Sequence, residues 1–119
     1  MLDHIGMGVK DLEKSKAFYA AALAPLGISV LREFPGAIGI GKPGHPFFWL
    51  SAGDGPTTPI HVAFTADTRA QVDEFHRRAL AAGAKDNGAP GLRPQYHANY
   101  YGAFVIGPDG HNIEAVCHK

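Results

Sequence analysis

Apolar and polar positions along this chain change period several times, and each change marks an element. Residues 2–9 form a short apolar run that predicts a strand. From Asp11 the spacing lengthens, and Leu12, Ser15, Phe18, Tyr19, Ala22, Leu23 and Leu26 fall on one helical face. Asp11 is a good N-cap for that helix, and Gly27 suits its end. Three short β-like runs follow at 28–34, 37–41 and 47–51, broken at Pro35-Gly36 and Pro43-Gly44. A stretch rich in Gly, Pro and Thr, 52–59, reads as a linker.

The second half repeats the plan. Residues 60–66 predict a strand, and Thr68 with Gln71 has the spacing of a capping box. Val72, Phe75, Ala79 and Leu80 form the apolar stripe of a second helix, which Gly83 ends. Residues 88–94 read as a Gly/Pro-rich loop leading to strands near 99–106 and 111–118. One constant offset superposes His4 on His61, Ile5 on Val62, Phe18 on Phe75 and Leu23 on Leu80. Two copies of one module, packed about a pseudo-twofold axis, would put the first strand of each near a shared concave face.

Composition narrows the picture. A chain of 119 residues with 45% hydrophobic residues suits one domain with its own core, the modules spanning about 1–52 and 60–119. Eleven basic residues balance eleven acidic ones, so no charge excess marks a nucleic-acid or membrane partner. The apolar runs are too short for a membrane span, and no signal-peptide pattern precedes the first strand. The single cysteine, Cys117, has no internal disulfide partner, which fits a reducing cytoplasm. It follows an apolar run with no neighbouring base and reads as a small buried residue.

Seven histidines in so short a chain prompt the question of what each does. His4 and His61 open the two equivalent strands, and Glu114 follows the turn Pro108-Asp109-Gly110 in the last one. Two imidazoles and one carboxylate are the ingredients of a metal site with open positions. A charged Glu114 between Ile113 and Val116 is costly to bury unless it is paired or coordinated. His45, beside two prolines, reads as a surface loop residue, His76 as surface or boundary, His118 as a solvated residue near the terminus, and His111 as a support for its turn. Around residue 97, Arg93, Tyr96, His97, Tyr100 and Tyr101 would suit a pocket rim, with Arg93 holding an anionic group. Tyr100 and Tyr101 would otherwise be half-buried strand residues, one on each face. Trp49 and Phe48 sit opposite Glu114 in the repeat, as pocket lining or core.

These residues resemble the vicinal oxygen chelate superfamily, which includes glyoxalase I, extradiol dioxygenases, and fosfomycin- and bleomycin-resistance proteins. His4-Ile with Val9-x-Asp11-Leu12, the run Ile60-His61-Val62-Ala63-Phe64, and Pro108-Asp-Gly-His-Asn-Ile-Glu114 carry the resemblance across the chain. It implies an α+β fold of paired βαβββ modules and a homodimer. It also implies a divalent ion (Fe, Mn, Ni or Zn) on His4, His61 and Glu114, with His4 supplied by its own chain or across the subunit interface. Trp49 stands where glyoxalase I has a second glutamate, Phe104 where the dioxygenases have a tyrosine, and Gly6 where the fosfomycin-resistance members have a threonine. The expected activity is glyoxalase-like lyase or isomerase chemistry on a small oxygen-chelating substrate bound by Trp49, Arg93, Tyr96, His97 and Tyr101. The alternatives are extradiol-type ring cleavage and a metal-free binding protein with an aromatic groove.

Overall fold

A computed structural model describes residues 2–56 and 58–119. The first module runs β1 (Ile5–Val9), α1 (Leu12–Leu23), a 3-10 turn (Ala24–Leu26), β2 (Ser29–Phe34), β3 (Ala37–Lys42) and β4 (His45–Ala52). The second runs β5 (His61–Thr65), α2 (Arg69–Ala81), β6 (Lys85–Leu92), β7 (Tyr101–Ile106) and β8 (Asn112–Cys117). Their sheets have the same order, β1-β4-β3-β2 and β5-β8-β7-β6. In each, the first strand lies parallel to the last and the others are antiparallel. The chain is thus an α+β protein of two βαβββ modules.

Local signals set the helix starts. The Asp11 side chain accepts from the Lys14 backbone N–H at 3.0 Å. Thr68 and Gln71 complete a reciprocal capping box, with Gln71 Oε1 also accepting from Asp67 N–H at 2.7 Å. Each pairing satisfies N–H groups that the first helical turn leaves open. The inner helix faces, Phe18, Tyr19, Ala22 and Leu23 on α1 with Val72, Phe75 and Ala79 on α2, bury against one continuous core. Phe48 of β4 meets Phe64 of β5 edge-on at 5.2 Å, which ties the modules together.

Several elements differ from the sequence expectation. The first strand begins at Ile5, so His4 stands just before it. The last turn of the first helix tightens to a 3-10 turn, in which Pro25 has no N–H to give. The run 88–94, expected as a loop, is largely strand: β6 starts at Lys85 and pairs with β7 through two register shifts. Pairing supplies there what propensity lacks, because the bulges fall where Gly88, Pro90 and Gly91 interrupt the ladder. His45, expected in a loop, opens β4.

Candidate metal and substrate site

Strand alternation turns one face of the second sheet toward α1 and α2 and leaves the other open. Ile113, Ala115 and Cys117 of β8 face the core, while Glu114 faces the open side between Ala63 of β5 and Phe104 of β7. Although it is on the open side, Glu114 is fully buried, because neighbouring side chains close over it. His61 Nε2 lies 2.8 Å from Glu114 Oε1. The Tyr100 hydroxyl donates to Glu114 Oε2. Both carboxylate oxygens therefore have partners, which a buried charge requires.

The Tyr100 phenol is held well above its ordinary pKa, first by burial and then by the Glu114 carboxylate that accepts its proton. It stays a donor across the neutral range. Phe104 stands directly opposite Glu114 in the ladder and 6.1 Å from the His61 ring, so the phenol at Glu114 comes from position 100 rather than 104. Glycines make room for this layer of side chains. A Cβ on Gly102 would stand 3.1 Å from Glu114 Oε2 and 3.2 Å from Tyr100 Cε1. One on Gly88, whose φ is +148°, would meet Phe104 at 2.9 Å and Arg93 at 3.2 Å.

The expected rim residues separate. Arg93 lies over the Phe104 ring, its guanidinium carbon 5.4 Å from the centroid. Tyr96 packs edge-on against Tyr100 at 4.9 Å, and His97 does so at 5.3 Å. His97 Nδ1 accepts from Asn99 N–H at 3.2 Å, which leaves its Nε2–H to donate to His118 Nδ1 at 2.7 Å. Tyr101 does not join them: its hydroxyl donates to Asp73 of α2 at 2.6 Å, on the opposite side of the sheet. Tyr100, which the expected substrate set omitted, takes the central place. The sequence placed it in the rim cluster but offered a half-buried strand residue as the other reading of both Tyr100 and Tyr101.

The first-module residues sit elsewhere. Trp49 lies on the first sheet, stacked on Phe34 at 6.3 Å and so close over Gly39 that a Cβ there would meet the indole at 2.8 Å. His4 is exposed, its Nδ1 2.8 Å from Asp3 Oδ1, and Asp3 also faces His45 Nε2 at 3.6 Å. His4, His45 and His61 line one groove of about 570 Å³ between the start of β1 and strand β5. Among the described residues of one chain, no three His, Cys, Asp or Glu side chains converge to hold a metal. Of the three expected ligands, His61 and Glu114 stand side by side and His4 stands apart from them. His111 is buried and accepts the Ile60 N–H through Nδ1 at 2.9 Å, a bond that joins the start of β8 to the entry of β5 rather than one within its own turn.

Paired βαβββ sheets with a histidine–glutamate pair on the second sheet's open face define a class of protein, and sequence comparison identifies the family. Residues 1–115 match the model of the Glyoxalase/Bleomycin resistance protein/Dioxygenase superfamily, and the chain belongs to it. A glyoxalase/bleomycin resistance protein from Albidiferax ferrireducens T118 superposes with a TM-score of 0.85 at 29% identity, over 98% of both chains. A mutant of the fosfomycin resistance protein FosX from Listeria monocytogenes, complexed with Mn(II) and 1S,2S-dihydroxypropylphosphonic acid, gives 0.73 at 23% identity, over 98% of this chain and 88% of that one. Lactoylglutathione lyase from Agrobacterium tumefaciens gives 0.70 at 21%, over 98% and 92%. No curated protein matches the chain by sequence. No helix among the described residues is long and apolar enough to cross a membrane.

Proposed function

We propose that this protein is a divalent-metal-dependent enzyme of glyoxalase-like type, a lyase or isomerase acting on a small substrate through two neighbouring oxygens. The observation that carries the reading is the approach of His61 Nε2 to Glu114 Oε1, one neutral donor beside one anionic donor on an open face. Both fit a divalent first-row ion, and the set does not choose among Fe, Mn, Ni and Zn. When bound, such an ion supplies Lewis-acid stabilisation of a developing oxyanion.

The chain's own residues do the rest. Burial deprives the Glu114 carboxylate of water, so it keeps its partners in place. Tyr100 retains its proton on the hydroxyl and fixes Oε2, leaving Oε1 for the position now shared with His61. Phe104 provides an apolar floor beside them. The third donor in this reading is the partner subunit's His4 in a homodimer. Strands β1 and β5 each lie at a sheet edge with one side unpaired in the sheet order, which suits pairing with a second copy.

Elemental analysis of the native protein, followed by mixing of two variants, tests this. His4→Ala and Glu114→Gln homodimers should each lose stoichiometric metal. Refolding them together should restore one site in the mixed dimer, and with it turnover of a dialdehyde hemithioacetal. Catechol is assayed in parallel for ring cleavage. Native protein that takes up no divalent ion refutes the reading, and metal lost from both homodimers but not regained on mixing refutes the shared site.

One observation favours a second reading, a metal-free binding protein. Glu114 is already satisfied by Tyr100 and His61, and an aromatic pair, Trp49 on Phe34, occupies the first sheet where glyoxalase I has a carboxylate. On that reading ligands quench Trp49 fluorescence equally with and without a chelator.

A further inference from the structure

We infer that Arg93 is the receptor for an oxyanion on the ligand of this same open face, which makes its ligands small oxygen chelators carrying a carboxylate or phosphonate. The inference rests on the functional reading only for the chelating end, and the anion end stands on geometry of its own.

Arg93 is half-buried and held in place on three sides. Its Nη1 donates to the Gly91 carbonyl at 2.9 Å and its Nη2 to the Ala89 carbonyl at 2.8 Å. The guanidinium lies 5.4 Å from the Phe104 ring centroid. Those two bonds use two of the five N–H groups a guanidinium carries. None of the ion pairs among the described residues includes Arg93, although Arg77 and Arg78 both reach Glu74. The turn that follows fixes its direction: Arg93 N–H donates to the Tyr100 carbonyl at 2.7 Å, so residues 93 and 100 face each other at its base. Opposed residues share a face, and Tyr100 faces Glu114. Arg93 therefore projects over the face that carries Glu114, and its charge acts on the Tyr100 phenol.

The bulged strand β6 makes this placement possible. A Cβ on Gly91 would stand 3.2 Å from Nη1, and one on Gly88 3.2 Å from Nη2. The guanidinium thus lies in a seat that larger residues would fill. A pinned, half-desolvated guanidinium has already lost much of its side-chain freedom and part of its hydration, so it binds a planar or tetrahedral oxyanion with little reordering. The Phe104 ring lies between this cation and His61, at 5.4 Å from the first and 6.1 Å from the second. The two steps bound the ligand's length: one end at the His61–Glu114 pair, the other at Arg93, and a short apolar segment over the ring.

The test uses the protein as purified, with metal content measured on the same sample. The ¹⁵N–¹H resonance of the Arg93 Nε is followed while methylphosphonate, succinate or uncharged succinamide is added. Both anions should shift that resonance saturably, and succinamide should not. Arg93→Gln should weaken anion binding at least about tenfold, read from the neighbouring backbone amides, and Arg93→Lys by less, because it keeps the charge and loses the fork. The Arg93→Lys variant also serves if Arg93→Gln fails to fold. The inference is overturned if neither anion gives a saturable shift, if succinamide binds as well, or if a folded Arg93 variant binds the anions like wild type. Saturable anion binding in protein that takes up no metal upholds it while the metal reading fails. Metal uptake without anion binding sinks it alone.

Discussion

Replacing Tyr100 by phenylalanine separates the chemistry of one hydroxyl from the shape of the ring. The ring continues to pack against Tyr96 and His97, while the O–H that donates to Glu114 Oε2 is gone. Glu114 is fully buried, and its only other hydrogen-bond partner among the described residues is His61 at Oε1. The loss is therefore that of a hydrogen bond to a buried charged group, about 1.5–3 kcal/mol at neutral pH. For a domain of this size that corresponds to a fall in Tm of roughly 5–12 °C. Tyr101→Phe is the matched control. Its hydroxyl donates to Asp73, which is exposed to water, so its removal should cost less than about 0.5 kcal/mol. Urea denaturation of both variants measures the contrast. The same Tyr100 variant should bind a divalent ion about 10–100-fold more weakly, as expected for a partner that orients a ligand, read by calorimetric titration. If Tyr100→Phe unfolds at the same urea midpoint as Tyr101→Phe, the phenol does not support the buried carboxylate and the argument fails.

Three further outcomes can be checked. Burial pushes the His111 imidazole below its ordinary pKa, against a smaller opposing pull from Asp109. The unfolded chain then binds the proton that the fold refuses, so stability is highest above about pH 6.5 and falls as the pH drops below it; denaturation at pH 7.5 and 5.5 should show a smaller difference for His111→Gln than for wild type. Gly88→Ala should cost roughly 1–3 kcal/mol, since it combines an unfavourable positive φ with a clash against Phe104; an unchanged melting temperature would count against the seat described for Arg93. Thr68→Ala removes half of the capping box and should cost about 1 kcal/mol, read from the denaturation midpoint.

The elements most legible in the sequence are those stabilised by near neighbours. Asp11, Thr68 and Gln71 announce the helix starts because a cap acts over three residues, and the stripe from Phe18 to Leu23 announces the buried face because helical periodicity is local. The recurrence of His4, Phe18 and Leu23 as His61, Phe75 and Leu80 revealed a repeated strand–helix–strand plan, the family resemblance supplied the full βαβββ modules, and the strand after Pro108-Asp109-Gly110 put Glu114 on a sheet. Strand β6 was hidden because Gly88, Pro90 and Gly91 read as loop residues. They become strand only because β7 offers its ladder, and the bulges absorb the residues that would break it. The roles of Tyr100 and Tyr101 were equally hidden. One register step decides which phenol reaches Glu114 and which reaches Asp73, and register is set by pairing with β8, not by composition. Tertiary structure alone stacked Trp49 on Phe34 and left His4 exposed beside Asp3. By itself the sequence determined the fold and named the candidate site residues. Long-range strand pairing decided which of them meet, because a hydrogen bond between residues distant along the chain exists only after the sheet that aligns them has formed.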